Sequence, residues 1–395
     1  MSIQMLVLLV PVIFGLMGFA IDLGRLYLIR GELTQTAQSM ATAAAARLIG
    51  TETALADATT TARLNTGNYN FGSQLIGESG SFLASEIPDP TYFSTAVAAV
   101  GDAAGDAAGT NAKYVRVTIN AEAPLLFWGL LSLGQQRKTP IAAIGVAGIS
   151  APLCTACGIE PFAIAALSTE DPTDFGFTVG TKYTLGFQCT AFPVPPTLPG
   201  TTQRIPYLLI DRYDDTSAFD ESQQLYRIGA SGLLPGSCVR VTGEEIAWVS
   251  AQPIGCNTNR VPAAVTSIRC GLWSRFDATP PEACVNVTDL ETLASAYQAD
   301  TDLTDIEDYT TYTGAGRRVI TIPIVDVLSP AGPMVVLGFR QFLVDPNQGD
   351  VNISVADTNG RFVALYIGAP VPLKQGRFDG GCQVSSGPGK VVLHR

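Results

Sequence analysis

Hydrophobic and polar positions divide the chain into three regimes. Residues 1–21 carry no charge, and the first ionisable side chain is Asp22. A helix over roughly 20 such residues is about 30 Å long, the hydrocarbon thickness of a bilayer. The apolar run then passes into a helical pattern in which Leu33, Ala37, Met40, Ala41, Ala44, Ala45 and Leu48 recur at spacings of three and four. Gln35, Gln38, Ser39 and Thr42 fall largely on the opposite side. No Pro or Gly lies between Arg25 and Arg30, so one helix is expected to leave the membrane and continue into water. Pro11 removes one backbone hydrogen bond and is expected to bend the apolar part, which membrane helices tolerate. A cleaved signal peptide fits less well, since no basic residue precedes Arg25 and the small residues that follow sit inside a good helix pattern. The apolar run is also long for a buried core helix.

Gly50 and Thr51 interrupt the pattern. A second helix is expected from about Thr53 to Leu64, with Leu55, Ala58 and Ala62 on one face and Asn65-Thr-Gly67-Asn68 as its stop. Residues 101–111 read as a small loop, and Tyr114–Ile119 alternates with period two, as a half-buried strand does. Pro124 opens the stretch Leu125-Leu-Phe-Trp128-Gly-Leu-Leu-Ser-Leu133, which is too short to span a bilayer as a helix. It reads as a buried helix covering the flanking strands, in preference to a membrane-surface patch. A further strand is expected over Pro140–Ile149.

From Ala151 the character changes. Pro193, Pro195, Pro196 and Pro199 punctuate a loop, and strand-like runs fall at Tyr207–Ile210, Ile246–Ser250, Val319–Leu328, Met334–Val344 and Arg361–Gly368. Turns such as Asp345-Pro-Asn-Gln-Gly349 separate several of them. The expected fold class is α+β. A transmembrane anchor (1–22) continues into an extramembrane helix and a small α+β unit (23–150), and a mostly β, disulfide-containing domain follows (151–395).

Composition sharpens this. Apolar residues make up 47% of the 395 and charged ones 15%, ample material for large cores. The net charge of −11 argues against a nucleic-acid partner, which needs clustered Lys and Arg. All eight cysteines (Cys154, Cys157, Cys189, Cys238, Cys256, Cys270, Cys284 and Cys382) lie outside the helical region. An even count confined to one part of an anchored chain reads as disulfides formed in an oxidising compartment, with 105 pairings open. Arg25 and Arg30 beyond the apolar run would by themselves favour a cytoplasmic remainder, but Asp22 and Glu32 dilute them. Long domains also cross membranes largely regardless of charge. The cysteines therefore decide for an extracytoplasmic remainder.

The run Gly15-Leu-Met-Gly-Phe-Ala-Ile-Asp22-Leu-Gly24-Arg25-Leu-Tyr27, followed by Arg30-Gly-Glu-Leu33-Thr-Gln35-Thr-Ala37 and Ala41–Ala46, resembles the amino-terminal segment of the TadE/TadG-like proteins of the Flp (tight adherence) pilus-assembly system. Asp22, Gly24, Arg25, Tyr27, Arg30, Leu33 and Gln35 carry the likeness, over about the first 48 residues. The departures are Thr34 between Leu33 and Gln35, Gln38-Ser39 where the family has Ala-Asp, and the missing basic piece ahead of the apolar helix. That last departure leaves processing, or a start further upstream, as an expectation. No pilin-type Glu stands five residues into the helix, so prepilin-peptidase cleavage is not expected. The resemblance implies a single-pass protein of the bacterial inner membrane with its bulk periplasmic or at the cell surface. Its expected partners are membrane lipid and other pilus-assembly or envelope proteins, with no nucleic acid.

The candidate chemistry is thin. Cys154-Thr-Ala-Cys157 has redox-motif spacing, but it lacks the strand-then-helix setting and has six other cysteines nearby, so structural disulfides are the expectation. No second close Cys or His pair completes a zinc site. The single histidine, His394, stands next to the carboxyl terminus, where Ser-His-Asp or Cys-His catalysis has no base to use. Gly387-Pro-Gly389-Lys390 lacks the spacing of a phosphate loop. Some TadG-like proteins carry a von Willebrand type A domain, whose metal motif would have Ser where Leu209-Ile-Asp211-Arg-Tyr213 has Tyr. Acidic clusters at Asp211, Asp214, Asp215, Asp220 and Glu221, and at Asp300, Asp302, Asp305, Glu307 and Asp308, read as solvated surface, as does the calcium-loop-like run Asp345–Asp350. No catalytic residue, cofactor, metal or small-molecule substrate is expected. The expected function is a non-enzymatic structural or assembly role in a Flp-type pilus system. A membrane-tethered module for calcium, glycan or a surface ligand is the alternative.

Overall fold

The computed structural model describes residues 2–64, 88–101, 104–106, 109–125, 127, 137–187, 203–210, 226–233, 238–241, 261–278, 298–329, 334–348, 351–352, 360–368, 370–378, 382 and 384–394. The chain forms two compact units. One holds residues 1–48, 54–149 and 391–395, and the other holds 49–53 and 150–390.

The first unit is built on α1 (Ser2–Ala45), a single 44-residue helix that runs through Pro11. It is long and apolar enough to cross a membrane. Its two halves differ. In the first, Val12, Phe14, Leu16, Met17 and Phe19 are all more than half exposed. In the second, the three-and-four pattern is buried as its spacing requires: Leu33, Ala37, Met40, Ala41, Ala44, Ala45 and Leu48 are closed from solvent. They pack on α2 (Ala54–Leu64) and on one face of a four-stranded sheet, meeting Val115, Val117, Ile119, Ala143 and Ala147. That sheet consists of β1 (Thr91–Phe93), β2 (Tyr114–Leu125), β3 (Arg137–Ile149) and the terminal strand Val391–Leu393, all antiparallel. Its other face carries the short helix α3 (Ala96–Val100), which Thr95 caps by accepting the Ala98 N–H. Small residues let helix and sheet approach closely. At Gly145 on β3 there is no room for a Cβ beside the α1 backbone at Ala37.

Two features depart from the pattern reading. The expected helix opening at Pro124 is not formed there. Pro124 and Leu125 continue β2, paired with Lys138 and Arg137, and β3 starts three residues earlier than expected. The period-two run simply persists through Ala121, Ala123 and Leu125, and a strand paired on only one side at this point tolerates Pro. Phe127 is helical, and residues 128–136 lie outside the described residues. The second departure is the terminal strand, whose pairing with β3 is long-range and leaves no local signature.

The second unit is organised around a closed six-stranded barrel. Its strands are β5 (Phe162–Ala165), β6 (Lys182–Phe187), β7 (Gln203–Leu209), β9 (Val319–Val325), β10 (Val336–Asp345) and β13 (Phe362–Tyr366), in the order β10-β13-β6-β7-β5-β9. β9 and β13 are buried at every position, so both the inner and the outer face of the wall are covered. This explains their continuous apolar sequence. Aromatic rings fill the inside, with Phe162 4.8 Å from Tyr207 and Phe342 5.2 Å from Tyr366, centroid to centroid. Outside the barrel, β4 (Thr155–Cys157) lies between β8 (Cys238–Arg240) and β14 (Gly376–Arg377), and β11 (Asn347–Gln348) pairs with β12 (Val351–Asn352). A 13-residue helix, α4 (Val261–Trp273), packs Ile268 and Leu272 into the barrel core. The strand-like run expected over Ile246–Ser250 lies outside the described residues.

Candidate functional site

The residues that carry the family-like motif are all on α1, but they do different things. Leu33 is core, whereas Tyr27, Arg30 and Gln35 are exposed and Gly24 has nothing within 4 Å of where a Cβ would stand. Arg25 is half-buried, and Asp22 is buried outright. Its two carboxylate oxygens accept the backbone N–H of Phe127 at 3.2 and 3.1 Å. One turn earlier, Gly18 leaves the notch into which the Phe127 ring fits, and any Cβ there would occupy the ring's place. The end of the β2–β3 hairpin is therefore fastened to α1 at the boundary between its uncharged and amphipathic halves. No sequence pattern announces this contact, because the partners are 105 residues apart.

The described cysteines are all oxidised. Cys154 is bonded to Cys382 and Cys157 to Cys238, so the Cys-x-x-Cys pair is not a pair at all. Each thiol of the motif is used to tie β4 to a distant part of the same unit. Cys270 on α4 is also disulfide-bonded. Cys189, Cys256 and Cys284 lie outside the described residues.

The acidic residues of the 300–308 segment act as local braces. Asp300 accepts the N–H groups of Asp302 and Arg318 at 2.9 and 3.1 Å, and the hydroxyl of Tyr312. Burial, then the neighbouring Asp300, pushes the Tyr312 hydroxyl far above its usual range. Asp302 takes the N–H and hydroxyl of both Thr304 and Thr313. Burial alone would raise its pKa, but those hydrogen bonds outweigh it and hold the carboxyl below the ordinary value. Asp308 caps the 3-10 turn Tyr309–Thr311, and Glu307 pairs with Lys182 at 3.1 Å. Lys182 also meets Asp345 at 3.0 Å. Asp211, Asp214, Asp215, Asp220 and Glu221 lie outside the described residues, as do Gly349 and Asp350. Among the described residues no three Asp, Glu, Cys or His side chains are gathered to hold a metal.

One cavity of about 250 Å³ opens in the second unit, lined in part by Arg275, Arg317, Thr321, Gln341 and Lys374. Arg275 is fully committed. Its Nε donates to the Ala230 carbonyl at 2.6 Å and its Nη1 to the carbonyls of Arg317 and Val319 at 2.7 and 3.2 Å, while Nη2 pairs with Glu160. Gln341 is likewise engaged with Thr321 and with both backbone groups of Val371. Glu160 is completely buried, and that burial raises its carboxyl to about 7 despite Arg275. Arg275 and Gln341 are thus held by protein partners, while one oxygen of Glu160, Oε2, has no hydrogen-bond partner among the described residues. The single histidine donates its backbone N–H to the Val146 carbonyl and sets its ring edge-on to Tyr114, 5.2 Å away, far in sequence from the carboxylate of Glu160. Comparison with known proteins finds no matching family model, no matching curated protein and no matching solved structure.

Proposed function

We propose that the chain is a non-enzymatic, membrane-anchored structural protein of the bacterial envelope, acting in assembly or support of a Flp-type pilus with its bulk outside the cytoplasm. The observation that carries this reading is the division of α1. Its first half is uncharged and exposed, and its second half is the core of a folded unit. An apolar helix of that length left uncovered is stable in lipid and costly in water. The disulfides of the second unit support an oxidising compartment. The pilus assignment rests on the likeness of residues 15–46 to the TadE/TadG-like segment. A tethered calcium module has less support, because Asp300, Asp302, Glu307 and Asp308 are already spent on backbone N–H groups, hydroxyls and a lysine.

The test is genetic. Deleting the gene in its source cell should abolish or sharply reduce surface pili, and the full chain should restore them where a version lacking residues 2–21 does not. Normal piliation in the deletion strain would overturn the pilus assignment.

A further inference from the structure

The exposed first half of α1 and the end of the β2–β3 hairpin meet. From Asp22 to Ala45 α1 rises about 35 Å, and the twelve residues of β2 extend about 40 Å. The hairpin thus runs beside the whole amphipathic half of the helix and ends level with Asp22, where the charge-free segment begins. Phe127 goes further. Its ring lies in the Gly18 notch, four residues and about 6 Å along the helix toward the apolar terminus.

We propose that the chain at Leu125 and Phe127, where β2 runs out, is a second membrane-contacting element, seated in the interfacial layer of phospholipid beside the anchor. The proposal rests on the reading of α1 as a membrane helix. Three observations support it. The contact surface is continuous with the uncovered apolar surface of α1, since Leu16, Met17, Phe19 and Ile21 surround the Gly18 notch in sequence and are all more than half exposed. The polar groups at this level satisfy one another: the Phe127 N–H, otherwise an orphan at a strand end near hydrocarbon, is taken up by Asp22, and a carboxylate near hydrocarbon gains a donor. Cationic positions fall at the matching height along the sheet: Arg137 pairs in register with Leu125 and Lys138 with Pro124. A depth of about 6 Å is within the range at which interfacial elements lie.

The full chain is reconstituted in vesicles of zwitterionic and anionic phospholipid with p-benzoylphenylalanine at position 127, and photo-crosslinking to lipid is read by mass spectrometry. Reporters at Leu16 and Asn120 mark the anchor and a point on β2 about 23 Å from the tip. Lipid adducts at position 127 should approach the yield at Leu16 and exceed that at Asn120 at least five-fold. A second reporter at Leu125 guards against a misfolded 127 variant and should behave in the same way. Labelling at Leu16 with none at 125 or 127 overturns the proposal and leaves the anchor standing, and so does crosslinking of 125 and 127 to protein alone. Absence of lipid labelling at Leu16 overturns the anchor and the proposal together.

Discussion

Gly145 is the position at which the first unit has least tolerance. A Cβ built there would fall inside van der Waals contact of the Ala37 carbonyl group and the Gln38 nitrogen, all backbone atoms in the middle of α1. Helix backbone has hydrogen-bonded turns on both sides and no rotamer to change, so Gly145→Ala has to push α1 away from β3 as a body. Overpacking of this kind costs about 2–3 kcal/mol. At 1.4 kcal/mol per factor of ten, local opening of the sheet becomes roughly 30- to 140-fold easier. Hydrogen exchange followed by mass spectrometry on peptides from 137–149, with the protein in detergent micelles, reads that number directly. Two controls sharpen the test. Ala37→Gly should not rescue the variant, because the obstruction is the carbonyl and not the methyl. Gly148→Ala, whose new methyl meets the Tyr114 ring first, should cost less than half as much because a side chain can turn away. If Gly145→Ala exchanges like the parent, or if Ala37→Gly restores it, the close crossing of helix and sheet is wrong.

Three further outcomes are expected. Glu160 is harder to ionise folded than unfolded, so unfolding releases a proton between about pH 4.5 and 7. Its contribution therefore falls by about 3 kcal/mol as pH rises through that window and is flat above it. Glu160→Gln should remove that slope from the difference between stability curves measured by urea titration. Asp302→Ala loses four accepted hydrogen bonds and should destabilise the second unit by about 2–4 kcal/mol near neutral pH. Because its carboxyl is held below the ordinary value, the difference from the parent should shrink as pH falls below the unfolded carboxylate value and on through the lower folded one. The Cys157–Cys238 bridge closes a loop of 81 residues, so the double serine variant should lose about 2–4 kcal/mol, read as a lower denaturant midpoint.

Local periodicity is enough to make α1 and α2 readable from sequence, though not the five-residue α3. The positions Leu33, Ala37, Met40, Ala41, Ala44, Ala45 and Leu48 need only a 3.6-residue repeat to be placed on one face, and all seven are buried. That α1 is long and apolar enough to cross a membrane is legible from the charge-free run alone. Strands β9, β10 and β13 announce themselves as apolar runs bounded by turns, but their closure into a barrel does not, because β5–β9 and β6–β7 pair in parallel across long intervals. The α4 helix lies in a region read as mostly β. Its apolar repeat, Val265, Ile268 and Leu272, is only three residues long, and Pro262 near the start obscures it, although Pro is tolerated in a first helical turn. Pro124 misled in the opposite direction, as a helix start where a strand simply continues. The Asp22–Phe127 fastening and the Cys154–Cys382 bridge share one cause of invisibility: each joins residues more than 100 positions apart, and composition carries no record of such distances.

The proposed arrangement, one helix serving as lipid anchor in its first half and as protein core in its second, with the cysteine-rich unit in an oxidising space, is open to a direct measurement. Membranes from cells making the intact chain should be washed with alkaline carbonate and then exposed to a thiol-reactive mass tag before and after reduction. The expected result is a chain that stays in the membrane pellet and takes up tag only after reduction. A chain released to the supernatant whose thiols react without reduction would contradict this arrangement.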